Sequence, residues 1–61
     1  MSFRNARKAA NLTQAQAAEK FGVTVATISL WELGTNRPNA KRLALIAEVY
    51  GCTIDDLLKE D

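Results

Sequence analysis

Helix punctuation recurs along this chain at short intervals, and it leaves little room for anything but short α-helices. Ser2 can cap a first segment, which Asn11 can close in the left-handed conformation. Thr13 caps a second, Gln14 to Phe21, ended by Gly22, and Thr24 caps a third, Val25 to about Leu33, ended by Gly34. Asn39 caps a fourth that reaches Tyr50 and stops at Gly51. Thr53, three residues before Asp56, makes a partial capping box for a last helix over residues 54–59. In each case a hydroxyl or amide supplies the acceptor that the free N–H groups of a helix start require. No alternating β-branched run suggests a strand, and residues 35–39, which hold the only proline, form a loop by composition. The expected fold class is all-α, a compact five-helix domain.

Helical periodicity then selects a core. Phe3, Ala6, Leu12, Ala18, Phe21, Val23, Ile28, Trp31, Leu43, Ile46, Ala47, Tyr50, Cys52, Ile54, Leu57 and Leu58 are expected mostly inside. With 61 residues there is one domain, 1–61, burying only about 60% of its unfolded surface. Cys52 reads as a small buried hydrophobe, since one cysteine makes no internal disulfide. The pair Asp55 and Asp56 reads as first-turn acids favoured by the helix dipole, not as a catalytic dyad.

The residues present exclude most chemistry. There is no histidine for a general base, a triad or a typical zinc site, and the three glycines stand apart, so there is no phosphate-cradling loop. The reading is therefore not an enzyme, with no cofactor and no metal. No apolar run approaches the roughly 20 residues of a membrane span, and the N-terminus lacks the apolar block of a signal peptide. The default location is the cytoplasm.

Net charge is only +1, but it is unevenly spread. Residues 1–20 carry +3, residues 35–42 carry +3 through Arg37, Lys41 and Arg42, and residues 43–61 carry −4. A basic front with an acidic tail can orient a molecule on a polyanion, although solvated surface charge gives the same pattern.

The most informative block runs from Thr13 to about Leu33: a helix, a short turn containing Gly22, and a second helix. Small Ala18 and apolar Val23 and Ile28 fall where two crossed helices approach closely, the arithmetic of a helix-turn-helix. Around it stand Arg7, Thr13 with Gln14, Ala18, Gly22-Val23-Thr24, Ile28-Ser29, Trp31-Glu32 with Gly34, Pro38, and Gly51-Cys52-Thr53-Ile54 followed by Leu57-Leu58. In this order the marks cover nearly the whole chain, which resembles the phage-repressor/Cro-like (XRE-type) helix-turn-helix family. The resemblance implies a lambda-repressor-like DNA-binding domain that binds double-stranded operator DNA, usually as a homodimer, and regulates transcription, most often as a repressor.

The resemblance also assigns roles. The third helix enters the major groove, with Val25, Ala26 and Leu30 facing bases and Thr27 and Ser29 nearby. Where family members often carry Gln, Arg, Lys or Asn, this chain offers apolar side chains, so specificity rests on thymine methyls, on Thr27 and on duplex deformability. Gln14 matches a glutamine that family members place on the phosphate backbone. Thr35, Asn36, Arg37, Asn39 and Lys41 offer further phosphate donors, with Asn36 and Asn39 reading equally as a turn residue and a cap. Arg4 and Lys8 are peripheral phosphate candidates. Arg7 and Glu32 occupy the two positions of a family ion pair that ties the first helix to the end of the third.

The dimer surface implied by the family lies around Tyr50 to Leu58, with Leu45, Val49 and Leu58 as apolar candidates. The chain reads equally as complete or as the DNA-binding part of a longer regulator. An alternative use of the fold is a protein-interaction module or antitoxin, with Val25, Leu30 and Leu33 docking on a protein partner.

Overall fold

A computed structural model describes residues 2–59. Five helices follow in order: α1 (Phe3–Ala9), α2 (Gln14–Phe21), α3 (Val25–Leu33), α4 (Ala40–Tyr50) and α5 (Ile54–Leu58). The described residues include no strand. The molecule measures 24 × 23 × 21 Å.

Each helix begins at a capping side chain. Ser2 Oγ accepts from the Asn5 N–H at 3.1 Å, Thr24 Oγ1 from Thr27 at 3.1 Å and Asn39 Oδ1 from Arg42 at 2.8 Å. Thr13 and Gln16 form a complete capping box, as do Thr53 and Asp56, so two starts satisfy a backbone N–H in each direction. The stops are equally explicit. Asn11 has φ 60°, a left-handed conformation whose cost asparagine bears better than most residues. Gly22 has φ 66° and reverses the chain from α2 toward α3, where a β-carbon would strain the turn. The last helix ends one residue earlier than its pattern suggests, with Lys59 already extended.

The core is assembled from one face of every helix. Ile28 and Ile46 are completely buried, and around them lie Ala6, Ala17, Ala18, Phe21, Trp31, Ala47, Tyr50 and Leu57. Phe21 is an aromatic hub: its ring lies 6.0 Å from Trp31 and 5.5 Å from Tyr50, tilted by 56° and 67°. These edge-on arrangements suit the ring quadrupoles. Burial raises the Tyr50 hydroxyl to about 12, and it also pushes the Cys52 thiol up.

Four details depart from the expected core. Phe3, Leu12, Val23 and Cys52 are half-buried, lining the core rather than filling it, and Leu43 is half-buried as well. Ile54 and Leu58, both expected inside, are exposed. A helix of five residues has one narrow buried face, and Leu57 takes it. Leu58, about 100° further round the axis, points away, and Ile54 lies at the rim of the first turn. Ala17, absent from the expected core, is fully buried beside Ala18. Pro38 is buried too, which anchors the connection between α3 and α4.

Candidate nucleic-acid interface

Helix α2 packs more extensively on α3 than any other pair of helices pack on one another. Small buried Ala17 and Ala18 on α2 allow that close approach, and Ile28 and Trp31 are the inward residues of α3. The opposite side of α3 is left uncovered. Val25 is 44% exposed, Leu30 37% and Leu33 76%, and Ala26 is exposed as well. Thr27 and Ser29 are half-buried. The Thr27 hydroxyl is engaged at the helix start, where its Oγ1 lies 2.9 Å from Thr24 Oγ1.

The far end of α3 is held by an ion pair. Arg7 Nε donates to Glu32 Oε2 at 2.6 Å and Arg7 Nη2 to Glu32 Oε1 at 3.3 Å, with both side chains less than a tenth exposed. A third guanidinium N–H, on Nη1, donates to the carbonyl of Leu12 at 2.9 Å. The fork-on-fork bond to Glu32 holds the Arg7 guanidinium above its already high range, against the opposing pull of burial. The pair joins residues 25 apart in sequence and sets α1 against α3.

Gln14 belongs to the same network. Its Nε2 donates to Glu32 Oε1 at 3.1 Å, so one amide N–H of this phosphate candidate is committed within the protein. The other amide N–H and the amide oxygen remain. This contact places the start of α2 beside the end of α3.

A second link had no counterpart in the sequence reading. Arg42 Nη1 donates to the carbonyl of Phe21 at 3.2 Å, which brings the first turn of α4 alongside the turn from α2 into α3. Its neighbours one turn away, Pro38, Asn39, Leu45 and Ile46, include no acid, and that lack of a local partner is the one hint the sequence offers. Beside it an open surface groove of about 470 Å³ is lined by Asn39, Lys41, Arg42, Ala44, Leu45 and Glu48. Asn39 uses its Oδ1 as the α4 cap and keeps its amide N–H groups. Thr35, Asn36 and Arg37 are exposed on the connection that leaves α3, where the Thr35 and Asn36 N–H groups both point to the Leu30 carbonyl. Arg4 and Lys8 are exposed on α1. Donors therefore stand near both ends of an α3 whose own outward side is apolar.

Two helices joined across Gly22, the second with one side buried and one side bare, define a helix-turn-helix protein. The chain belongs to the XRE-type helix-turn-helix family, whose model matches residues 3–57. It is 44% identical over 52 residues to the HTH-type transcriptional activator BcrR of Enterococcus faecalis, covering 85% of this chain and 26% of that protein. It is 38% identical over 53 residues to the cryptic phage CTXphi transcriptional repressor RstR of Vibrio cholerae, covering 87% of this chain and 47% of the relative. An uncharacterized HTH-type transcriptional regulator, YqaE of Bacillus subtilis, is 34% identical over 58 residues, which is 95% of this chain and 50% of that one. The chain thus spans between about a quarter and a half of the length of these relatives. No solved structure shows a significant match.

Proposed function

We propose that residues 1–61 form a single sequence-specific double-stranded DNA-binding domain of a transcription regulator, with the helix-turn-helix at about residues 13–33 and α3 in the major groove. The observation that carries this is the seating of α3: one side locked by Ile28, Trp31 and the Arg7–Glu32 pair, the other bare, with donors near both ends. In this reading Val25, Ala26 and Leu30 face the bases, with half-buried Thr27 and Ser29 beside them. Gln14, Thr35, Asn36, Arg37, Asn39 and Lys41 hold phosphates and set the register, and the starts of α2 and α4 add backbone N–H groups.

Of the directions of regulation in the relatives' names, repression needs only occupancy of the operator, and we take it as the mode. A single domain with few phosphate contacts binds weakly, so the working form is a homodimer on two half-sites about 34 Å apart. Leu45, Val49, Ile54 and Leu58 on α4 and α5 offer the apolar surface for it. No helix among the described residues is long and apolar enough to cross a membrane, and we place the activity in the cytoplasm. The partner-only reading of the apolar α3 face is not favoured, because the characterised relatives are named as regulators of transcription.

Selection from a random duplex library at roughly 100 mM salt, where phosphate attraction is partly screened, tests this directly. An enriched inverted repeat is the expected result. A folded protein that enriches no sequence overturns the proposal.

A further inference from the structure

The outward side of α3 has almost nothing with which to read a hydrogen-bond pattern. Its one charged residue, Glu32, is turned inward and taken up by Arg7 and Gln14. The helix carries no side-chain amide. Of its two hydroxyls, that of Thr27 is engaged with Thr24, and Ser29 is half-buried. What remains exposed is Val25, Ala26, Leu30 and Leu33. Yet the polar donors near the two ends of α3, Gln14 at one and Asn39 and Lys41 at the other, suit a polyanion and not an apolar protein surface.

Major-groove base edges present donors, acceptors and one apolar group, the methyl on C5 of thymine. Cytosine methylated at C5 carries the same group at the same position. A surface made of Val25, Ala26 and Leu30 gains by covering that methyl and gains nothing from the polar atoms beside it. Bidentate side chains, by contrast, distinguish base pairs through those polar atoms.

We propose that α3 reads the positions of C5-methyl groups through Val25, Ala26 and Leu30, and that it treats thymine and 5-methylcytosine alike. The inference rests on the DNA-binding reading above and adds the chemical group that is recognised. Removing one covered methyl lowers affinity by about fourfold, the worth of one buried carbon. Methylation of cytosine at a matching position raises affinity by the same factor.

The test uses the duplex recovered by selection, remade with thymine, uracil, 5-methylcytosine or cytosine at each preferred thymine and paired accordingly. Binding is followed by fluorescence anisotropy at fixed salt. Thymine and 5-methylcytosine are expected to bind alike, each about fourfold tighter per position than uracil and cytosine. Equal binding of thymine and uracil overturns methyl reading while leaving DNA binding intact. Preference for thymine and uracil over both cytosines overturns it in favour of hydrogen-bond reading. Failure to recover any site overturns the DNA-binding reading itself. A protein-side arm uses Val25→Ser and Leu30→Ala, both at exposed positions, with folding checked by circular dichroism. Each is expected to shrink the thymine-to-uracil ratio toward one, and a ratio unchanged in both overturns the proposal.

Discussion

Arg42 Nη1 donates to the carbonyl oxygen of Phe21 at 3.2 Å and so fastens α4 to the last turn of α2. That carbonyl is among the last four of its helix and has no partner within it. A cationic donor from another helix fills the gap.

Replacing Arg42 with methionine keeps much of the apolar stem and removes the donor. We expect a loss of roughly 1.5 kcal/mol, the lower end for a hydrogen bond to a charged group, because the contact is only partly buried. Urea denaturation followed by circular dichroism measures it. A change below about 0.5 kcal/mol, half of what an ordinary hydrogen bond contributes, means that water replaces the guanidinium at no cost.

The Arg7–Glu32 pair is the more consequential fastening. Arg7→Ala leaves the Glu32 carboxylate buried without its main partner, a change that costs about 3–5 kcal/mol. Stability of about 0.05–0.15 kcal/mol per residue gives a domain of this size little beyond that. The variant is therefore expected to melt far below the parent chain by circular dichroism, with part of the population unfolded at room temperature. Glu32→Gln keeps the shape and part of the hydrogen bonding, and its melting temperature should fall between the two.

Tyr50 makes alkaline pH informative. Burial, reinforced by the negative charge of Glu32, holds its proton to about 12 rather than the ordinary 10. Between those values the folded state binds more protons than the unfolded state, so stability falls as pH rises through this window. The chain has one tyrosine, so phenolate absorbance reports this group alone. Tyr50→Phe should remove part of the alkaline loss, and ionisation near 10 without unfolding would contradict the burial.

Acid acts at the capping carboxylate of α5. The Thr53 backbone N–H, and then its side chain, hold the Asp56 carboxyl below its ordinary range. The charged form is thus the one the fold favours. Its contribution is present above the ordinary carboxylate range and is lost as pH falls through the lowered value. Resonances of α5 should therefore shift at lower pH than an unstructured aspartate predicts. In Asp56→Asn that step should disappear.

The architecture was legible because its signals are local. A cap such as Thr24 or Asn39 and a stop such as Gly22 act within one turn, so their positions can be read without knowing the partner helix. Ile54 and Leu58 were misplaced for the complementary reason: their type fits a core, but how much of a five-residue helix is covered depends on its neighbours. The interface divides in the same way. The Arg7–Glu32 geometry spans 25 residues, and only resemblance, not spacing, pointed to those two positions. The turn of Gln14 toward Glu32 and the reach of Arg42 to Phe21 follow from packing that no periodicity encodes.

The tilted packing of Phe21 against Trp31 and Tyr50 has a practical corollary. Trp31 is the only indole in the chain, and it sits on the inner side of α3, behind the surface assigned to the bases. The domain thus contains a built-in optical gauge of how α3 is seated. A ligand that tilts or tightens that helix alters the emission of Trp31 without touching it, and one that merely docks on the apolar outer side leaves the spectrum as it was.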